Sequence, residues 1–290
     1  MASVTPAAPP HGPLAALILG SALLAFGPML VRLSDVGPVA SAFWRMALAA
    51  PILLLVAIWA RRRADDALPM ARLPWKVAAI AGLFFAADLG AWHMGILGTT
   101  MANATLFANT TAFMLAGWAI LVQRRSPGRA TLQALGAAGA GTLLLLGHSA
   151  QVSPANIAGD ALSLLAAAFY TGYLLTIIGL RDRLPTSTVL AMSTLSSAVL
   201  LLPVALLAPG PFWPTDWRPL IGLAVSSQLV GQGLMVFASG RLSAPVIGIG
   251  LLVQPLVSAV SGWLVFGEAM APGELLGAAL VAAALVLIRR

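Results

Sequence analysis

The sequence of 290 residues has few charged side chains and no cysteine. Charged residues make up only 9% of the chain, whereas they make up about a quarter of an average soluble domain. Nine acidic and sixteen basic residues are too few to cover the surface of a soluble fold of this size. The composition therefore excludes an ordinary cytosolic enzyme, a disordered protein and a nucleic-acid-binding domain. The lack of cysteine excludes disulfides, thiolate nucleophiles, zinc–thiolate sites and iron–sulfur clusters.

Long apolar runs occupy most of the chain instead. Apolar residues make up 60% of it, and the mean hydropathy is +0.95. A membrane-spanning helix needs about 20 mostly apolar residues, and ten such runs can be traced. We therefore predict an all-α polytopic membrane protein with ten transmembrane helices. The predicted spans are Leu14–Leu33, Pro38–Ala60, Trp75–Leu97, Thr100–Val122, Thr131–Gly147, Ile157–Leu180, Ser187–Ala208, Trp217–Ser239, Ser243–Phe266 and Pro272–Ile288.

The basic residues between these runs are divided unevenly between the two sides of the membrane. Thirteen of them fall on the side that holds the N-terminus, and two fall on the other side. Because lysine and arginine collect in cytoplasmic loops, we predict that both termini are cytoplasmic. The same rule explains the net charge of +7 without a nucleic-acid partner. A chain rich in alanine and arginine with one lysine is typical of a GC-rich bacterial genome, so we predict a location in the bacterial inner membrane. We also predict a monomer.

The two halves of the chain resemble each other when the sequence is shifted by 145 residues. Trp118 then aligns with Trp263, Asn109 aligns with Gln254, and one Pro-Gly pair aligns with another. Each half holds five predicted spans, and an odd number inverts the second half relative to the first. Inverted repeats are typical of transporters, in which the substrate binds near the midplane between the repeats. The predicted organisation is a cytoplasmic tail at 1–13, a first repeat at 14–150 and a second repeat at 151–290.

Four short motifs carry a family resemblance. Phe43-Trp44-Arg45-Met46 has an arginine that the family follows with an aromatic residue, although Met46 departs from that pattern. Val253-Gln254-Pro255-Leu256 lies at a proline-containing kink of the ninth helix, and Phe266-Gly267-Glu268 matches the Gly-Glu that ends this helix. Asn109-Thr110-Thr111 replaces the proline of the first-half kink. Through these motifs the chain resembles the drug/metabolite transporter superfamily, in the ten-span form made of two EamA units.

The resemblance extends over nearly the whole chain and is strongest to the YddG-like amino-acid exporters. It implies a secondary transporter that exports amino acids, including neutral and aromatic ones, by alternating access. Export of other small metabolites or drugs by the same fold is the alternative. The resemblance also implies that the spans one, three, four, six, eight and nine line the transport cavity.

Two charged residues lie deep inside the predicted spans. Helix geometry places Asp88 about 20 Å and Arg45 about 22 Å from the cytoplasmic ends of their helices. Charges inside the membrane are costly and are candidates for a functional role. Asp88 is a candidate for proton coupling or for binding a substrate ammonium group, and it is also a candidate for a structural ion pair with Arg45. The third alternative is that Arg45 extends alone toward the membrane surface. His93 is a candidate for substrate binding, for proton relay or for a hydrogen bond between helices.

Amides and aromatic side chains complete the predicted cavity. Neutral amides can orient a zwitterion, but they can also join helices. Aromatic side chains can line an apolar pocket, but they can also face lipid. The predicted cavity residues are Phe26, Asp88, Trp92, His93, Asn109, Tyr170, Tyr173, Gln228, Gln232 and Gln254. Proline and glycine inside a span should bend it, and the predicted hinges are Gly27, Pro28 and Pro255, with further bends at Pro51 and Pro203.

Other classes of membrane protein fit the sequence less well. No motif of a membrane enzyme is present, and Lys76, the single lysine, lies at a helix end. We therefore predict that the protein is not an enzyme, and we predict no metal site and no cofactor other than a coupling proton. A channel would need rings of like groups or an oligomer. A channel, a membrane enzyme and a scaffold without transport activity stay as alternatives.

Overall fold

The computed structural model describes residues 11–63, 69, 72–124, 127–147, 153–257, 260 and 272–287, and within these ranges it contains helices and no strand. A 3₁₀ turn at Pro154–Asn156 precedes α8, and a π-helical segment at Leu223–Gly231 joins α10 to α11. The α-helices are α1 (His11–Leu24), α2 (Gly27–Leu33), α3 (Pro38–Arg62), α4 (Trp75–Gly98), α5 (Met101–Ala108), α6 (Thr111–Leu121), α7 (Arg129–Gly147), α8 (Ile157–Arg181), α9 (Thr186–Leu207), α10 (Arg218–Gly222), α11 (Gln232–Ser239), α12 (Ala244–Leu251) and α13 (Pro272–Leu287).

Seven helical segments of the described chain are long and apolar enough to cross a membrane. They are His11–Leu33, Pro38–Arg62, Trp75–Gly98, Met101–Leu121, Pro154–Arg181, Thr186–Leu207 and Arg218–Ser239. Their ends agree with seven of the predicted spans to within one helical turn. Two shorter apolar helices cover Ala244–Val257 and Pro272–Leu287, and the motif Phe266-Gly267-Glu268 and Trp263 lie outside the described residues. The protein is a multi-pass helical membrane protein.

Several spans are interrupted. The first is broken at residues 25–26, directly before Gly27 and Pro28, which begin α2. The fourth is broken between α5 and α6, and the helix that starts with α12 is interrupted by a turn at Leu252. The span at Arg218–Ser239 is continuous, but the π-helical segment widens it in the middle. Each interruption frees backbone carbonyl groups from regular α-helical hydrogen bonds.

Polar side chains explain the break between α5 and α6, where the chain has no proline. The Asn109 side-chain amide donates a hydrogen bond of 2.8 Å to the carbonyl of Thr105. The Thr110 hydroxyl donates one of 2.6 Å to the carbonyl of Phe107. Side chains that bond nearby carbonyls in this way compete with the helix and bend it. The two side chains therefore share these carbonyls with the backbone N–H groups of Asn109 and Thr110.

Close contacts between small residues bring α4 and α8 together, and these two helices form the most extensive helix pair of the described structure. Gly159 on α8 lies against the backbone of Gly98 and Thr99 at the end of α4. A Cβ atom on Gly159 would lie 2.6 Å from the Thr99 backbone nitrogen. Small residues at such crossings let two backbones approach closely inside a membrane. The packing of α4, which carries Asp88, therefore depends on this glycine.

Two connections tie α2–α3 to α9–α10 at the end of the bundle opposite the arginine-rich loops. Asp35 accepts hydrogen bonds from the backbone N–H of Thr215 (2.8 Å) and of Asp216 (3.1 Å), and from the Thr215 hydroxyl. The Trp44 indole N–H donates to the carbonyl of Phe212 at 2.7 Å. The hydrogen bonds from Thr215 are the main cause that lowers the pKa of Asp35 below its ordinary value of 3.8. The ionised Asp35 carboxylate therefore accepts the hydrogen bonds that join these two parts of the chain.

We expect Asp35→Asn to lower the thermal stability of the protein at pH 6 and to have a vanishing effect as the pH falls below 3.8. A lowered pKa in the folded state stabilises the fold above the ordinary pKa of 3.8, and this contribution is lost as the carboxylate takes up a proton. The difference in Tm between wild type and Asp35→Asn should be measured between pH 6 and pH 3. A difference that does not change with pH would contradict an ionic role.

Candidate transport cavity

A cavity that is partly open to solvent lies at the interrupted helices, and its empty space together with the adjoining open solvent is about 550 Å³. Leu24 borders it just before the first break, and Asn109 borders it at the second. Gln254 borders it just after the turn at Leu252, and Gln232 borders it where the π-helical segment ends. The residues that line the cavity are Leu24, Arg45, Phe85, Asp88, Leu89, Trp92, Ala108, Asn109, Thr111, Ala167, Tyr170, Gln232, Leu251 and Gln254.

The carboxyl ends of interrupted helices place partial negative charge at this cavity. The carboxyl ends of α1, α5 and α12 reach it through Leu24, Ala108 and Leu251. The last carbonyls of a helix carry a partial negative charge, which favours a cation nearby. Irregular backbone at membrane depth is tolerated where it is buried in protein or lines a cavity. The broken helices therefore fit a site that binds a polar solute inside the membrane.

Arg45 and Asp88 both border the cavity and are both buried, with 3% and 8% of their surface exposed. The two described side chains form no ion pair within 4.0 Å, although their opposite charges interact. The Arg45 guanidinium carbon lies 5.8 Å from the centre of the Phe85 ring, and Arg45 Nε has no hydrogen-bond partner. The direct ion pair suggested by the sequence is therefore not formed in this structure, because both groups border a cavity instead of a closed helix contact.

An aromatic wall stands beside the two charges. Phe85 stacks on Tyr173, with ring centres 4.3 Å apart and planes 12° apart. Tyr170 lies next to them, 5.8 Å from Tyr173, and its hydroxyl donates a hydrogen bond of 3.3 Å to Gln232 Oε1. Tyr173 is fully buried behind Phe85 and Tyr170. The wall fixes the position of the Tyr170 ring and of the Gln232 amide at the cavity surface.

The structure brings most of the sequence-predicted residues together. The predicted residues that border the cavity are Arg45, Asp88, Trp92, Asn109, Tyr170, Gln232 and Gln254. Four other predicted residues do not line it in the described part of the chain. Phe26 is 37% exposed beside the first break, Tyr173 lies behind Phe85, and Gln228 donates a hydrogen bond of 2.9 Å to Thr194 on α9. His93 is the fourth.

His93 joins two helices instead of reaching the cavity. Its Nδ1 lies 2.7 Å from the Ser41 hydroxyl, which also donates a hydrogen bond of 2.8 Å to the carbonyl of Pro38. A hydroxyl has one proton, so a Ser41 hydroxyl that donates to the carbonyl of Pro38 accepts the hydrogen bond from an Nδ1–H of His93. His93 Nε2 is buried without a partner. The geometry fits the hydrogen bond between helices, which the sequence left as one of three interpretations.

Comparison with known proteins supports a transporter. Residues 157–290 match the EamA-like transporter family. The uncharacterised transporter YwfM of Bacillus subtilis (strain 168) is 27% identical over 247 residues, which cover 81% of this chain and 79% of YwfM. An uncharacterised transporter of Archaeoglobus fulgidus is 23% identical and covers 82% of this chain and 83% of its own length. The second half of the chain is therefore similar to EamA-like transporters, and most of the chain is similar to proteins named as transporters.

Two further matches concern an exporter and the fold. The threonine/homoserine exporter RhtA of Escherichia coli (strain K12) is 30% identical over 146 residues, which cover 50% of this chain and 49% of RhtA. A solved crystal structure superimposes with a TM-score of 0.76 at 17% identity, and covers 95% of this chain and 94% of its own. It therefore shares the fold of this chain. The relatives are named as transporters, which agrees with the prediction that the protein is not an enzyme.

Asp160 is a polar residue that the sequence patterns did not single out. It lies in the first turn of α8. Its carboxylate accepts a hydrogen bond of 2.6 Å from the Thr99 hydroxyl and bonds of 2.9 and 3.1 Å from the Asn103 amide. Arg32 donates to the carbonyls of Ile96 and Thr99, at 2.9 and 3.0 Å. Together these bonds tie α2, α4, α5 and α8. The signal that could have pointed to Asp160 is an acidic residue in the first turn of an apolar span.

We expect Asp160→Ala to destabilise the protein by about 1.5–3 kcal/mol, the range for hydrogen bonds to a charged group. The substitution leaves Thr99 and Asn103 without their shared acceptor. Thermal unfolding in detergent measures the effect. Asp216→Ala is the matched control, because Asp216 pairs with Arg218 on the exposed surface and such pairs contribute little. Equal losses of stability in the two variants would contradict the special role of Asp160.

Proposed function

We propose that this protein is a secondary transporter that exports amino acids, including neutral and aromatic ones, by alternating access. The observation that carries the proposal is a cavity at interrupted helices that is bordered by one buried arginine and one buried aspartate, Arg45 and Asp88. Unpaired charges of both signs in one cavity suit a small zwitterion. The partial similarity to RhtA, which is named as a threonine/homoserine exporter, points to the same class of substrate.

In this proposal two inverted repeats of five spans, at 14–150 and 151–290, rock about the cavity. Asn109 and Gln254 are related by the shift of 145 residues, and both border the cavity beside a helix interruption. This correspondence supports a two-fold relation between the repeats. Gly27, Pro28 and Pro255 lie next to the interruptions and serve as hinges. The proposal also includes cytoplasmic termini, the bacterial inner membrane as the location, and a YddG-like exporter that acts as a monomer.

Counterflow in proteoliposomes tests this function. Purified protein is reconstituted, loaded with unlabelled threonine, homoserine or phenylalanine, and given the same amino acid in labelled form outside. We expect saturable uptake above that of empty liposomes. If protons are coupled through Asp88, the exchange rate depends on pH, and this dependence is lost in Asp88→Asn but kept in Asp182→Asn. Folded protein that exchanges none of these amino acids would overturn the proposal and favour another small metabolite or a drug as the substrate.

A further inference from the structure

We infer that Arg45 and Asp88 bind the two charged ends of one substrate molecule. The Arg45 guanidinium binds the α-carboxylate, and the Asp88 carboxylate binds the α-ammonium group. This inference rests on the proposed function and deepens it, because it assigns the orientation of the substrate. It also makes a free α-carboxylate and a free α-ammonium group joint requirements for binding.

The first support is that both charges are buried without a direct partner. A buried charge is costly unless it is paired and hydrogen-bonded. Arg45 and Asp88 are within interaction range but form no ion pair, and the described residues donate no hydrogen bond to Asp88. Arg45 Nε also lacks an acceptor. A ligand with two opposite charges would compensate both groups, whereas an acid or an amine would leave one of them uncompensated.

The second support is the balance of unpartnered donors around the cavity. Trp92 Nε1 and Gln232 Nε2 are buried donors without partners, and both residues line the cavity together with Arg45. An ionised carboxylate has two oxygens and about four acceptor sites. Three unpartnered donor groups of this kind match the carboxylate end of an amino acid. They would remain unpaired with a simple amine.

The ammonium end has its own surroundings. The side-chain amide nitrogen of Asn109 donates its hydrogen bond to the carbonyl of Thr105. The Asn109 Oδ1 atom is the acceptor that this side chain can offer to a ligand in the cavity. The carboxyl ends of α1, α5 and α12 add partial negative charge to the same cavity. Together with Asp88, these acceptors suit an ammonium group, which has three donors and no acceptor.

Binding of matched analogues tests the assignment. Full-length protein in detergent is titrated with threonine, with 1-amino-2-propanol, which lacks the carboxylate, and with 3-hydroxybutyrate, which lacks the ammonium group. Phenylalanine, phenethylamine and 3-phenylpropionate form a second set. For the set whose amino acid exchanges in counterflow, we expect the wild type to bind the amino acid at least about tenfold more tightly than either analogue, as for the loss of a hydrogen bond to a charged group.

The variants give the decisive pattern. Arg45→Gln should weaken binding of the amino acid at least about tenfold and leave binding of the amine unchanged, because only the carboxylate contact is lost. Asp88→Asn should weaken binding of the amino acid and leave binding of the acid unchanged. Arg183→Gln and Asp182→Asn, in the exposed turn between α8 and α9, are matched controls that should behave as the wild type. If Arg45→Gln does not fold, Arg45→Lys replaces it. Because lysine keeps the positive charge, Arg45→Lys should still bind the amino acid more tightly than the amine, with a smaller ratio of affinities than in the wild type.

The outcomes separate this inference from the proposed function. Exchange of an amino acid in counterflow, combined with binding of both analogues as tightly as the amino acid itself, would overturn the inference alone. Equal weakening of all three compounds by Arg45→Gln and by Asp88→Asn would also overturn it, because that result indicates a structural role. A wild-type protein that neither binds nor exchanges any amino acid of the panel would overturn the proposed function, and the inference with it.

Discussion

Ala108→Trp is expected to abolish exchange of amino acids while the protein still folds. Ala108 ends α5 at a helix break, lines the cavity and is half-buried. An indole ring at this position would occupy space that the substrate needs. A loss of more than about 1.4 kcal/mol of binding free energy lowers affinity at least tenfold, and filling the site should exceed this. The rate of counterflow measures the effect, with thermal unfolding in detergent as the test of folding.

Ala140→Trp is the matched control for this prediction. Ala140 lies on the exposed face of α7 and does not line the cavity, so the same change of side chain there should leave exchange near the wild-type rate. Exchange at the wild-type rate by folded Ala108→Trp would mean that the substrate does not pass through this cavity. Equal losses in both variants would indicate a general effect of tryptophan on the protein.

Gly159→Val is expected to destabilise the protein by about 3 kcal/mol or more, at the upper end of the range for overpacked cores. A Cβ at this position meets the backbone of Gly98 and Thr99. Because backbone atoms cannot rotate away as a flexible side chain can, α8 must move from α4. The movement also displaces Asp88 and Trp92 on α4, so we expect transport to be lost together with stability.

Gly179→Val tests whether this effect comes from the crossing. Gly179 lies on the same helix, α8, but a Cβ there would meet nothing within 4 Å. Valine has a better helix propensity than glycine, so Gly179→Val should be neutral or slightly stabilising. The free energies of unfolding of both variants should be compared under the same detergent conditions. A Gly159→Val protein as stable as Gly179→Val would show that the two backbones can separate at little cost.

Features that depend on local sequence were predictable for this chain. The length of an apolar run determines whether it can span a membrane, so seven segments of the structure fall where the runs predicted them. A charge within such a run stands out, which is why Arg45 and Asp88 could be selected without a structure. Their convergence on one cavity required the packing of α3 against α4, and no single span contains that information.

Features that depend on packing were not predictable. Pro51 lies inside the continuous helix α3. The break at Asn109 and Thr110 has no proline, and the side chains of both residues donate hydrogen bonds to nearby backbone carbonyls there. The sequence also did not show which face of each helix points toward the core. Residues that face lipid and residues that face the core are both apolar, so the sequence could not show that Phe26 is exposed or that Gln228 binds Thr194.

The most direct test of the transport cavity uses the absence of cysteine from the chain. Ala108→Cys introduces a single thiol at the cavity, and its rate of reaction with a methanethiosulfonate reagent can be measured with and without an exchanged amino acid. At ten times the dissociation constant, occupancy should slow the reaction about tenfold, while Asp182→Cys in an exposed turn should react at an unchanged rate. A reaction at Ala108→Cys that saturating substrate does not slow, in protein that still exchanges it, would contradict binding in this cavity.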